Sequence, residues 1–216
     1  MPDLLFTQHT PDGTGVVTSD STGEVYAHAL GGNPLSGDWP ERPRFEQLIR
    51  SGDPTRVVVW SGSNAEPLFA PDPTSWMSTA RDRFERFIDD ALESMSDRAE
   101  LLVRTHARHV LSDIPTVRTF AANREDAPVG VLLDPASMLE RSMLDCADDH
   151  LERIAHGALP SADAVLVAGL ERAETLGGET ELCEIGTGVL DTRALDRFTR
   201  ADACPAIRFA RVDQPR

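Results

Sequence analysis

The sequence predicts an α/β fold built on a parallel sheet. Three observations carry that prediction. Continuous apolar runs such as Arg56–Trp60 (RVVVW) and Val129–Leu133 (VGVLL) read as strands buried on both faces. Segments with apolar residues at helical spacing lie between these runs. Short loops join the two kinds of segment, so successive strands are linked by right-handed crossovers. The chain has 216 residues, 40% of them hydrophobic, which suits a single domain with a sizeable core.

Residues 1–40 form the irregular, hairpin-rich part of that domain. Turn signals at Asp12-Gly13, Gly23, Gly31-Gly32 and Asn33-Pro34 crowd between short β-like runs at 4–8, 15–18 and 24–30. A hairpin is expected around Ser19–Gly23. The strand–helix alternation starts after about Pro43. Arg56–Trp60 is its first clear strand. A polar loop and a Pro-rich stretch follow, and Thr74 or Ser75 is placed to cap a helix from Trp76 to about Arg98. Phe84, Phe87, Ile88 and Ala91 lie on its apolar stripe.

The unit then repeats. Leu101–Val103 is a strand, and Ile114 to about Asn123 is a helix that starts at Pro115. Val129–Leu133 is the next strand, followed by a helix from Ser142 to about His156 and a strand at Ala164–Val167. Thr175–Glu184 reads as an excursion with one short extra strand. Thr192–Phe198 is a short helix opened by Asp191 or Thr192, and Ala206–Ala210 is the last strand. A complete eight-unit (β/α) barrel takes about 250 residues. This chain falls short of that, and the missing helices belong to its N-terminal end.

Asp and Glu number 36 against 21 basic residues, a formal charge of −15, and every basic residue is Arg. The lysine-free composition fits either a GC-rich genome or an acidic, salt-adapted surface. It excludes Schiff-base chemistry on a lysine. Binding to nucleic acid or an anionic membrane is not expected, because both need dense positive charge. No apolar run reaches the roughly 18 residues of a membrane span, and the N-terminus lacks a basic leader, so a cytoplasmic protein is expected. Cys146, Cys183 and Cys204 have no metal-ligand spacing and read as small buried thiols.

In parallel α/β folds, ligands bind beyond the carboxyl ends of the strands. That rule selects Trp60, Ser61 and Asn64 after the first strand, and Arg104, His106, Arg108 and His109 after the second. Asp134 and Ser137 follow the third, Glu171 the fourth, and Arg208 lies on the last. The run Arg104–His109 holds two Arg and two His. It reads either as a cationic mouth for a carboxylate or phosphate, or as part of a salt-bridge network with the many carboxylates. Asp134 can bind a metal, orient a hydroxyl, pair with Arg104, or simply cap the next helix. No G-x-S-x-G elbow, complete phosphate loop or H-E-x-x-H spacing is present, so no cofactor is assigned from a motif.

The run VGVLLDPASM at Val129–Met138 resembles the xylose-isomerase-like superfamily, the TIM barrels of sugar phosphate isomerases, epimerases and endonuclease IV. VVVWSGSN at 57–64, LLVRTH at 101–106 and IGTGVLD at 185–191 are similar to further segments of that group, in the same order. The resemblance implies a TIM-type barrel, shortened or incomplete in its N-terminal half. It also implies a divalent Mn, Mg or Zn ion held by carboxylates and His, with sugar carbonyl chemistry beside it. Carried over by position, Asp134 and His106 match. The glutamate ligand position falls on Arg104, the His/Asn position falls on Ser137, and Arg208 stands in the strand that would bring a final Glu. Arg104 is then expected to take the cation's electrostatic place and bind an anionic group.

Two functions follow from this. In the first, the chain is an isomerase- or epimerase-like protein for a small polyhydroxylated, sugar-like or anionic ligand. His106, Asp134 and Glu171 would move protons. Trp60, Asn64, Arg104, Arg108, His109, Ser137 and Arg208 would hold the ligand. In the second, it is a non-catalytic degenerate barrel, a binding module or partner subunit. Its Gly-rich N-terminal arm would then allow a homodimer. Nucleic-acid cleavage would need a metal cluster that these positions do not supply.

Overall fold

A computed structural model describes residues 4–8, 13–19, 22–172, 180–183, 186, 188–198 and 208–213. Side chains at 171, 172, 180, 181 and 208–213 lie outside the description.

Three short strands come first: β1 (Leu4–Gln8), β2 (Gly15–Ser19) and β3 (Val25–Ala29). They form an antiparallel meander, with Phe6 opposite Val17 and Val17 opposite Ala27. The turn expected around residues 19–23 is present: the Gly23 amide donates to the Ser19 carbonyl at 2.8 Å. Helix α1 (Arg42–Ile49) leads to β4 (Thr55–Trp60), and α2 (Ser78–Ser94) leads to β5 (Ala99–Arg104). Helix α3 (Ile114–Asn123) leads to β6 (Val129–Leu133), and α4 (Ala147–Gly157) to β7 (Ala164–Val167). A hairpin of β8 (Gly169–Arg172) and β9 (Thr180–Cys183), then α5 (Thr192–Asp196), precede β10 (Arg208–Asp213).

The eight main strands close into a barrel in the order β1-β10-β7-β6-β5-β4-β3-β2. Six neighbouring pairs are parallel, and the two pairs that involve β2 are antiparallel. The N-terminal half is therefore short of helices but not of strands. A meander needs only tight turns, whereas each parallel pair needs a crossover. Closure through β1 and β10 removes both sheet edges.

Barrel alternation explains the burial pattern. On β4, β5 and β6, Val58, Leu102 and Leu132 line the barrel interior. Their neighbours Val57, Leu101 and Val131 are fully buried in the opposite direction, under the helices. The outer layer is tied together by aromatics. Phe45 of α1 meets Phe87 of α2 at 5.4 Å between ring centroids, and Phe84 of α2 meets Phe120 of α3 at 5.4 Å.

Several boundaries differ from the sequence reading. Residues 73–76 form a separate 3₁₀ turn capped by Asp72, and the α2 helix starts at Ser78 without a side-chain cap. The Pro-rich approach favours a turn there. The helix expected from Ser142 begins as a 3₁₀ segment over Arg141–Cys146. Within the excursion expected at Thr175–Glu184, the described residues hold the short extra strand as β9 (Thr180–Cys183), which pairs with β8 just before it. Cys183 is buried but Cys146 is exposed, and Cys204 lies outside the described residues. Among the described residues no helix is long and apolar enough to cross a membrane.

Candidate functional site

Trp60 ends β4, Arg104 ends β5, and Asp134 follows β6 by one residue. All three lie at the carboxyl end of the barrel, where the fold places ligand chemistry. The structure brings them into one buried cluster. Arg104 Nε and Nη2 both donate to Asp134 Oδ2, at 2.9 and 2.7 Å. The Ser137 hydroxyl donates to the same oxygen at 2.7 Å, and the Ser137 amide donates to Oδ1 at 3.0 Å. The Thr105 hydroxyl accepts from the Asp134 amide at 2.9 Å.

The pair is nearly sealed, with side-chain exposures of 3% for Arg104 and 0% for Asp134. The Trp60 ring covers the guanidinium, 4.0 Å from its central carbon, and Phe6 flanks it at 5.3 Å. Burial pulls the proton affinity of Arg104 down, and the charge and hydrogen bonds of Asp134 offset this. Below the pair, the barrel centre holds a space of about 20 Å³ between Phe6, Val58, Leu102 and Leu166. That is room for about one water and not for a sugar.

A second cluster forms a lid of rings on Trp60. Phe69 packs edge-on to Trp60 at 5.3 Å and stacks on His109 at 5.4 Å with a 14° interplanar angle. His106 and His109 lie 4.5 Å apart, ring to ring. His106 Nδ1 accepts from the Arg108 amide at 3.1 Å. Its proton affinity is pushed down to about 3, first by burial and then by the charges of Arg104 and Arg108. The residue is half-buried, and its ring is a neutral imidazole at the margin of the cluster. His109 is fully buried, and neither ring nitrogen makes a well-aligned hydrogen bond. Burial, then His106 and Arg104, hold it well below the ordinary histidine range, with the Leu68 carbonyl as a weak opposing influence.

The remaining candidates scatter. Arg108 donates to the Phe69 carbonyl at 2.6 Å and lies 3.6 Å from Glu140. Asn64 staples its loop to α2, accepting from Arg83 at 2.6 Å and donating to the Thr74 carbonyl at 3.2 Å. Glu171 sits in the β8–β9 hairpin and Arg208 opens β10, but their side chains lie outside the described ones. Sequence reasoning missed Phe69. Its Pro-rich surroundings carry no periodicity that would flag it. Ser61 is no nucleophile candidate here: its hydroxyl accepts from the Leu111 amide at 3.1 Å and ties two loops together.

These residues do not fit the divalent cation that the resemblance implies. Asp134 already receives hydrogen bonds on both oxygens, and the Arg104 guanidinium is its charge partner. Among the described residues no three His, Cys, Asp or Glu side chains converge as a ligand group.

No protein-family model matches the sequence, and curated proteins give no significant match. Solved structures do. Endonuclease IV from Thermus thermophilus is similar at a TM-score of 0.51 and 17% identity, over 74% of this chain and 55% of that one. A xylose isomerase-like TIM barrel protein from Mycobacterium smegmatis, solved in complex with magnesium, gives 0.50 and 15% over 78% and 57%. The probable 3-DHS dehydratase AsbF of Bacillus anthracis, involved in petrobactin synthesis, gives 0.55 and 13% over 86% and 67%. The chain shares the TIM-barrel fold of these structures. This chain spans 55% to 67% of the length of these structures.

Proposed function

We propose that this chain is a non-catalytic xylose-isomerase-like barrel that works as a binding module. One observation supports the reading above the others: Arg104 is bound through two nitrogens to Asp134, beneath Trp60, at the place where the fold does its chemistry. A carboxylate saturated by an internal partner is not free to move a substrate proton, and a sealed guanidinium is not free to grip an anion. The pair is a structural device. It closes the carboxyl end of the barrel and fixes the loops that start there.

An isomerase or epimerase of sugar phosphates is the competing reading, favoured by the fold and by the partial exposure of His106. That imidazole titrates far below neutrality, a poor match for a base working near pH 7. Proton exchange into D₂O at the carbon next to the carbonyl of pentose and hexose phosphates, with Mn²⁺ or Mg²⁺ present, separates the two. The expected result is exchange no faster than in buffer. Exchange that disappears in both His106→Ala and Asp134→Asn, each folded, overturns the proposal.

The structural role has its own test. Asp134→Asn leaves Arg104 buried without its charge partner and is expected to lower stability by about 3–5 kcal/mol. The double variant Arg104→Met/Asp134→Asn is expected to recover most of that loss in urea denaturation, because it removes the unpaired charge.

A further inference from the structure

We infer that the loops after β4, β5 and β6 build a binding cleft beside the barrel mouth, and that it takes a small aromatic carboxylate. The inference rests on the reading of the chain as a binding module and names the site and ligand class. The cleft is about 410 Å³. That lies in the range of small-molecule sites, about 300–1,000 Å³. It stands clear of the barrel centre, whose free space is about 20 Å³.

Its floor is apolar and buried: Val110 and Met138 are each 4% exposed. Its walls are Trp76, Met77 and Met143. Trp76 and Met77 are among the few large apolar side chains that the described surface exposes, at 49% and 57%. An open Trp face next to two thioethers suits a flat aromatic body, since methionine adapts to the shape it meets and sulfur packs well on rings.

The charges select the other end of the ligand. Three charged side chains line the cleft: Arg81, Asp113 and Glu140. Asp113 is committed to the start of α3, accepting from the Thr116 amide at 2.8 Å. Glu140 faces Arg108 at 3.6 Å. The Arg81 guanidinium has no hydrogen bond or ion pair among the described residues, in a protein of formal charge −15. A planar fork with no internal carboxylate, beside an open indole, fits one anionic head on an aromatic body.

Three probes of one shape test this by calorimetry and ligand-observed NMR: indole-3-propionate, its uncharged amide, and the cationic tryptamine. Saturable binding of the carboxylate is expected, weakened about tenfold in Arg81→Gln and in the amide, as for loss of one charge-assisted hydrogen bond. Trp76→Ala is expected to weaken all binding. Both side chains are exposed, so the variants keep the fold. No saturable binding, equal binding of carboxylate and amide, or preference for tryptamine overturns the inference. So does a dimer that forms at high protein concentration and is lost in Trp76→Ala, because a second copy would then fill the cleft. Absence of binding leaves the non-catalytic reading standing, whereas sugar phosphate exchange sinks that reading without touching the cleft.

Discussion

At the scale of single residues, the buried Asp134 carboxylate takes hydrogen bonds from Arg104 and Ser137, one of the arrangements open to it from its place after β6. Trp60, Arg104, Asp134 and Ser137 stand at or just after strand ends, and the structure brings them into contact. Their bonding to one another joins residues 30 apart in sequence and depends on which way each side chain leaves its strand. Composition cannot supply that. His109 shows the same limit. Its place in a polar run suggests a solvent-facing ligand, yet it is stacked on Phe69 with no exposed surface. That burial has a pH consequence. The folded-state proton affinity lies below the ordinary value of 6.5, so below pH 6.5 the unfolded chain takes up a proton that the folded chain refuses. Stability is then fully present above 6.5 and falls as the pH drops, with a limiting slope of about 1.4 kcal/mol per pH unit for this group. His109→Phe is expected to reduce the loss between pH 7.5 and 5 in urea denaturation. An unchanged pH dependence would show that His109 is not the titrating group.

At the scale of elements, local rules worked where they act over one turn. Asp113 and Thr116 form a reciprocal capping box, with Pro115 in the first turn of α3. Asp191 caps α5 through the Arg193 amide. The rules failed at 73–77, where several capping residues compete and Asp72 takes the role by accepting from the Thr74 amide at 2.9 Å. The loops depend on a further device that the sequence shows only as a glycine. Gly62 has φ +74°, and a Cβ there would lie 2.6 Å from Leu35. Its carbonyl accepts from the Val110 amide at 3.0 Å, linking the loops after β4 and β5. Gly62→Ala is expected to lower stability by about 1–3 kcal/mol, from the left-handed backbone together with the contact. A variant as stable as the parent in urea would mean that the loop relaxes freely.

At the scale of the whole molecule, charge and closure dominate. A formal charge of −15 repels itself in the folded state. Raising NaCl from about 10 mM to about 0.5 M shortens the Debye length from roughly 30 Å to a few Å, so the urea midpoint is expected to rise with salt. The buried Arg104–Asp134 pair is shielded from ions, and its loss in Asp134→Asn is expected to stay nearly constant across the same range. A midpoint that falls with salt would place more weight on surface ion pairs, such as Arg124 with Glu85 and Asp89.

The sequence by itself determined the secondary elements from β4 to β7, the helices between them and the end of the barrel where polar residues gather. Hydrophobic period, caps and turn residues act within a few residues and are written in order along the chain. Tertiary structure decided the rest. It turned β2 against its neighbours, closed the barrel by pairing β1 with β10, and locked Arg104 onto Asp134. Each of these depends on register and side-chain direction between segments far apart in the chain. A one-residue slip would turn the same residues outward.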